Sequence, residues 1–132
     1  MKVSSSSQIE TLRFISATNL SHPFTTKSYK TPSTNPRPPL TVMTAAPHTS
    51  SAVHHHGEQD TIVYAASGHG SIISDNGKTR QDLSPGDFAL IPAWTEHQEA
   101  NEGEEEVTWI ITRSGSEPVV VNLKGWGEGT KE

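Results

Sequence analysis

The feature that most restricts the fold of this chain is a series of short β-like segments that begins at Leu40. Asn76 and Gly77 mark a tight hairpin turn, because both residues tolerate the positive φ that such turns need. Pro85 and Gly86 mark another turn, and no segment shows a sustained helical period. Many short strands at regular spacing predict an all-β sandwich or a closed barrel. The predicted strands are Leu40–Ala46, Ser51–His56, Thr61–Ala66, Ser71–Ser74, Lys78–Leu83, Phe88–Pro92, Glu96–Ala100, Val107–Arg113 and Pro118–Leu123.

The two ends of the chain differ from this strand-rich part. Residues 1–39 are rich in Ser, Thr and Pro, and proline removes a backbone donor, so the proline-rich part cannot form a central strand. We predict an extended N-terminal arm over residues 1–39, a barrel over residues 40–123 and a flexible Gly-rich tail over residues 124–132. The arm is interpreted either as a floppy tail or as a segment that packs on its own barrel or on a neighbouring subunit.

Length and composition exclude several classes of protein. A chain of 132 residues fits one domain, and its formal net charge of -5 gives no basic surface for nucleic acid. The chain has no cysteine, so it cannot form a disulfide, a thiolate metal site or a cysteine nucleophile. No apolar run reaches the roughly 20 residues that a membrane-spanning helix needs. We therefore expect a cytoplasmic protein that binds neither nucleic acid nor membrane.

Three consecutive histidines form the first candidate site. On a strand, alternate side chains share a face, so His54 and His56 point one way and His55 points the other. Imidazole is a ligand for Fe, Mn, Ni, Cu and Zn. A pair of histidines two residues apart is a weak signal by itself, since a solvated histidine patch gives the same pattern.

A second spaced pattern strengthens the metal interpretation. Gly86, Pro92, His97 and Asn101 have the spacing of the second motif of the cupin superfamily, which the sequence resembles over roughly residues 40–123. Only the second glycine of that motif differs, because Trp94 stands in its place. The resemblance, to single-domain RmlC-like cupins, implies a double-stranded β-helix, which is a jelly-roll barrel. It also implies one divalent metal ion, held by three histidines that match His54, His56 and His97.

The sequence leaves several alternatives open for the fourth protein ligand. The family has an acid separated from its second histidine by three or four residues, which corresponds to Asp60 or Thr61. Asp60 keeps strand parity with the histidines and is the preferred candidate. A β-bulge near Gly57 would instead turn Gln59 inward. A shell without a fourth side-chain ligand is the third alternative, and Asp60 as an ordinary turn or surface carboxylate also stays open.

Two further residues are candidates for catalysis. Glu99 shares a face with His97, so it can enter the cavity as a general base. The alternative is that Glu99 faces solvent beside the acidic run that follows it. Tyr64 lines the pocket if the alternation from His56 persists, and otherwise packs in the core or points outward.

The resemblance implies a metal-dependent enzyme that acts on a small organic acid, a sugar derivative or a phenolic metabolite. The reaction is either that of a dioxygenase or a non-redox isomerisation or lyase step. The fold does not choose among these reactions. The alternatives are a non-catalytic, metal-stabilised binding module and a degenerate barrel without metal. The resemblance also implies a homodimer.

Overall fold

In the computed structural model, the described residues (13–20, 24–30, 40–115 and 119–127) form β-strands and turns without a helix. The strands are β1 Arg13–Leu20, β2 Phe24–Lys30, β3 Leu40–Ala45, β4 Thr49–Ser50, β5 His54–His55, β6 Thr61–Ser67, β7 Gly70–Ser74, β8 Thr79–Leu83, β9 Phe88–Ile91, β10 His97–Asn101, β11 Val107–Arg113 and β12 Val121–Asn122. The prediction of an all-β jelly-roll barrel is confirmed.

The strands form two antiparallel sheets. One sheet has the strand order β1-β2-β3-β11-β6-β9. The other has the order β12-β5-β10-β7-β8, and β4 also pairs with β10. Strands that follow each other in the chain, such as β5 and β6 or β10 and β11, lie in different sheets. The chain therefore crosses repeatedly between the two walls, and residues from both walls face one interior.

The core follows from the period-two alternation of the strands. In β6 from Thr61 to Ala65 and in β11 from Val107 to Ile111, every second side chain is buried and the side chains between are exposed or half-buried. Trp109 of β11 fills the space that a side chain at position 70 would occupy, since a Cβ on Gly70 would lie 2.5 Å from its ring. The buried cluster contains Met43, Ala45, Val63, Ala65, Ile72, Leu83, Ile91, Val107, Trp109 and Ile111.

The described part of the predicted N-terminal arm is not isolated from the sheet. β1 and β2 form an antiparallel hairpin, and β2 pairs with β3 from Phe24↔Ala45 to Tyr29↔Leu40. The proline-rich segment 31–39 and the last residues of the tail, 128–132, lie outside the described residues. The domain boundary at residues 39 and 40 stays a prediction.

Two turns have the geometry that their residues predict. Asp75, Asn76 and Gly77 all have positive φ, and Gly77 N donates a hydrogen bond to Ser74 O. Gly86 has a φ of 99°, and its turn is closed by Ser84 N, which donates to an oxygen of Asp87. None of the described segments forms a helix long and apolar enough to cross a membrane.

Candidate metal centre

Three histidines from two neighbouring strands meet inside the barrel. His97 of β10 pairs directly with His54 of β5, and His56 follows β5 by one residue. One ring nitrogen of each histidine lies within 4.8 Å of the others, and all three side chains are buried. The structure thus brings together the three histidines that the sequence predicts as metal ligands.

The other ring nitrogen of each histidine is already held by the protein. His54 Nδ1 lies 2.8 Å from Ala52 O, and His97 Nδ1 lies 3.0 Å from Thr95 O. Because a carbonyl oxygen only accepts, both Nδ1 atoms must donate. When these rings are neutral, Nε2 therefore carries the lone pair and can bind a metal, which is the arrangement that orients metal-binding histidines.

His56 is held in a similar way by a side chain. Its Nδ1 lies 2.6 Å from the hydroxyl of Thr61, and its Nε2 lies 3.4 Å from Arg113 Nη2. A guanidinium only donates, so Nε2 carries the lone pair and Nδ1–H donates to Thr61. Burial, followed by the charges of Arg113 and His97, lowers the pKa of His56 to about 2. This histidine therefore stays neutral, the form that binds a metal.

Glu99 lies beside the histidines and is almost fully buried. Its Oε2 is 3.0 Å from His97 Nε2, and its Oε1 is 3.3 Å from His54 Nε2. Burial alone would raise the pKa of this carboxyl, but His54 and His97 hold it well below its usual range. For His54, burial lowers the pKa, but the nearby Glu99 raises it by more, so the pKa of His54 lies above its ordinary value. An ionised carboxylate thus faces two candidate ligand nitrogens.

The residues present fit a divalent metal. His97 Nε2 is buried and, despite its distance to Glu99, makes no hydrogen bond. A buried ring nitrogen without a hydrogen bond is rare in proteins and calls for an explanation, such as an ion. Three imidazole nitrogens and one carboxylate form a donor set suited to Zn, Fe, Mn, Ni or Cu.

The structure does not bring Asp60 or Gln59 to these histidines. Asp60 is exposed, and its Oδ1 accepts a hydrogen bond from Ala93 N at 2.9 Å. Gln59 is buried elsewhere, and its Oε1 accepts a hydrogen bond from Val119 N at 2.9 Å. The parity argument for Asp60 assumed a continuous strand from His56, and the chain turns there instead.

That turn is built around Gly57. Gly57 has a φ of 60°, and Gln59 N donates to His56 O. The turn changes the parity of the inward positions, so that Thr61 is fully buried and takes the place predicted for the acid. Thr61 holds His56 from this position rather than adding a carboxylate.

The same change of parity moves Tyr64 away from the site. Thr61 and Val63 face the interior, so Tyr64 lies on the other face of β6. Its ring packs at 4.7 Å from the ring of Phe88, which is largely exposed. The prediction that Tyr64 lines the pocket required unbroken alternation from His56, and the structure does not show it.

Arg113 is the site residue that the sequence reasoning missed. It is the last residue of β11, two positions after buried Ile111 and four after buried Trp109. The alternation of this strand would have placed it on the inner face. Its pKa is lowered by burial, and the charge of Glu99 opposes that shift.

The sequence matches the family model described as "Cupin domain" over residues 41–113. The chain belongs to the cupin family. A search of curated protein sequences gives no significant match.

Solved cupin structures share this fold at low sequence identity. The polyketide cyclase RemF from Streptomyces resistomycificus is 18% identical, with a TM-score of 0.66, over 98% of this chain and 90% of that one. A sugar phosphate isomerase from Silicibacter pomeroyi is 24% identical, with a TM-score of 0.55, over 67% of this chain and 58% of that one. An oxalate oxidase in complex with glycolate is 18% identical, with a TM-score of 0.60, over 65% and 46%. At this identity the likeness shows the fold alone.

The cupin motif explains the position of Asn101. Its side-chain amide donates to Ala45 O at 3.0 Å and to Glu105 O at 2.7 Å, and its Oδ1 accepts from Gly103 N. These bonds tie the end of β10 to β3 and to the following acidic loop. The cupin asparagine here supports the strand that carries His97.

The departure at Trp94 keeps the backbone shape of the cupin motif. Trp94 has a φ of 65°, the left-handed conformation that a glycine adopts without cost. Its backbone N donates to Gly57 O, and its ring centre lies 5.4 Å from that of His55. The aromatic ring therefore covers the histidine that points away from the candidate metal site.

Proposed function

We propose that this cupin is a metal-dependent enzyme that acts on a small molecule through one divalent ion held by His54, His56 and His97. The observation that carries the proposal is the convergence of three buried imidazole rings, each held through its Nδ1, on one place in the interior. A divalent ion bound there would polarise a substrate oxygen, lower the pKa of bound water or, if redox-active, activate dioxygen.

We assign the fourth ligand position to Glu99 rather than to Asp60 or Gln59. Glu99 is within 3.3 Å of two ligand nitrogens, whereas Asp60 and Gln59 are engaged by backbone donors elsewhere. Because Glu99 is an ionised carboxylate in a buried place, it neutralises part of the charge of an ion. The role of general base, predicted for Glu99 from the sequence, is compatible with the same position.

The proposed reaction belongs to one of two classes, which are oxygen-dependent cleavage and non-redox isomerisation or lyase chemistry. The similar structures include a cyclase, an isomerase and an oxidase, so both classes occur on this fold. The substrate class is a small organic acid, a sugar derivative or a phenolic metabolite. The proposal includes pairing into a homodimer and a cytoplasmic location.

A second candidate function is a barrel that binds a small molecule without a metal. The specific observation in its favour is Arg113, whose Nη2 lies 3.4 Å from His56 Nε2. A fixed positive charge at that distance competes with a cation for the same lone pair.

The deciding experiment is metal analysis of protein purified without a histidine tag, with a His97→Ala variant prepared in parallel. The expected result is one equivalent of a first-row metal in the natural protein and none in the variant. Oxygen uptake with candidate acids and phenols then separates the two reaction classes. Equal metal content in both proteins, or none in either after exposure to Zn, Fe, Mn, Ni and Cu, contradicts the proposed function.

A further inference from the structure

We infer that Arg113 binds a carboxylate of the substrate beside the three histidines, so that the substrate class is a carboxylic acid. The inference deepens the proposed function and rests on the same site. It starts from the position of Arg113 at the end of β11, where it pairs with Thr61 of β6. Thr61 in turn holds His56, so the guanidinium lies at the histidine end of the barrel interior.

The guanidinium of Arg113 is poorly satisfied by the protein. Its Nε is buried and has no hydrogen-bond partner among the described residues. Its Nη2 contact with His56 Nε2, at 3.4 Å, is at the long limit for a hydrogen bond. Buried donors without partners are costly, and a ligand oxygen beside Arg113 would relieve that cost. The site therefore favours a ligand that brings acceptors to Arg113.

The charge of the site favours an anion as that ligand. Glu99 lies 3.3 Å from His54 Nε2 and 3.0 Å from His97 Nε2, and it makes no salt bridge to Arg113 within the described part of the chain. The charges of Glu99 and Arg113 offset each other, so a divalent ion would leave the site positive. In a buried site, where charges are weakly screened, that excess attracts a negative group.

The geometry of the guanidinium fits a carboxylate. Its planar fork of donors matches the two oxygens of a carboxylate, which it binds through two parallel hydrogen bonds. Phosphate shares this chemistry, so it is included in the test as a competing ligand. A neutral amide has one oxygen and no charge, and it gives a matched control.

Arg80 is an arginine whose guanidinium is hydrogen-bonded by carboxylates of the protein. Its Nε lies 2.9 Å from Asp82 Oδ1, and its Nη2 lies 2.7 Å from Glu102 Oε1, both at the surface. Arg113 has no carboxylate at such a distance among the described residues. Arg80→Gln is therefore the control that removes an arginine without touching the site.

The experiment measures binding of acetate, acetamide and inorganic phosphate by calorimetry, to metal-free and to zinc-loaded protein. The Nε–H resonance of Arg113 is followed in parallel by nuclear magnetic resonance. We expect acetate to bind about 10-fold or more tightly than acetamide, as two charged hydrogen bonds predict. We also expect acetate to shift the Arg113 Nε–H resonance. Arg113→Gln should abolish this preference, Arg113→Lys should retain part of it, and Arg80→Gln should retain all of it.

Three results would overturn the inference. They are equal binding of acetate and acetamide by the natural protein, an unchanged preference in Arg113→Gln, and a preference for phosphate over acetate. The natural protein provides the first comparison, so the test holds even if Arg113→Gln fails to fold. Absence of zinc binding overturns the proposed function instead, and the metal-free measurement then judges Arg113 separately.

Discussion

The two segments that carry the candidate ligands differ in regularity. In β10, the alternate residues His97, Glu99 and Asn101 all face the interior on one continuous strand. In the other segment, His54 and His56 face the interior, but the turn at Gly57 follows and the next inward residue is Thr61. The alternation of inward and outward side chains is therefore continuous in β10 and interrupted after His56.

This difference decides where the acid of the site comes from. Along a strand, successive side chains point to opposite faces, so every second residue lies on the same face. Across a turn this alternation is interrupted, because a residue with positive φ changes the direction of the backbone. Glu99 follows His97 by two residues on a strand, so it reaches the histidines. Asp60 is separated from His56 by a turn, so it lies at the surface, where its carboxylate accepts a hydrogen bond from Ala93 N.

The largest expected effect is the loss of metal on removal of a buried ring nitrogen. His97→Ala should weaken metal binding by more than about 100-fold, since changes that touch only the support of a ligand already cost 10–100-fold. His55→Ala should leave metal binding unchanged, because that ring faces Trp94 and its Nδ1 accepts from Gly57 N. Competition with a chelator measures both variants, and equal losses in the two would contradict the assignment.

The acid assignment predicts the next largest effect. Glu99→Gln should weaken metal binding by about 10-fold or more, because it removes a charged oxygen ligand while keeping the shape. Asp60→Asn is the matched change in the other segment and should leave the affinity within about threefold, a difference of under 1 kcal/mol. If Asp60→Asn releases the metal and Glu99→Gln retains it, the turn at Gly57 rearranges on binding.

The low pKa of His56 predicts a pH dependence of the metal-free protein. The unfolded chain takes a proton on this ring near pH 6.5, whereas the folded protein resists it down to about pH 2. The free energy of unfolding should therefore fall with decreasing pH by up to about 1.4 kcal/mol per unit. Above about pH 5 the lowered pKa of Glu99 has little effect on the free energy of unfolding, because the carboxyl is largely ionised in the folded and the unfolded state. Below its unfolded pKa, His54 is largely protonated in both states, so it also contributes little to the pH dependence.

Urea unfolding in the presence of a chelator, at about pH 5 and pH 6.5, measures this dependence. His56→Gln should flatten it, because glutamine does not titrate. A natural protein whose stability is constant between these pH values would show that the ring is protonated in the folded state, contrary to its contact with Arg113.

The smallest effect concerns the left-handed backbone at Trp94. Trp94→Gly and Trp94→Ala both remove the ring that covers His55, but only glycine adopts a φ of 65° without strain. The glycine variant should therefore be more stable than the alanine variant by about 1 kcal/mol. Thermal unfolding of the two variants side by side measures the difference, and an alanine variant at least as stable would mean that the backbone there relaxes.

The spacing of the histidine motifs predicted the fold and the three histidines of the candidate metal site. His54, His56 and His97 were placed together because a regular strand turns alternate residues to one side and because their separation matches a known family. The hairpin at Asn76 and Gly77 was predicted from residues that accept positive φ. Arg113 lay within reach of the same reasoning, since the buried residues Trp109 and Ile111 set the parity of β11.

The sequence by itself determined most of the strands and turns after residue 40, because strand alternation and turn geometry depend on residues close together in the chain. It did not predict β1 and β2, a hairpin that pairs with β3 through β2 and so joins separate segments of the chain. The tertiary structure alone decided which polar groups meet. Thr61 reaches His56 because a tight turn follows that histidine, and Arg113 lies beside His56 because β11 pairs with β6. Such contacts join residues up to 57 positions apart, and their distances depend on how two sheets close on one interior.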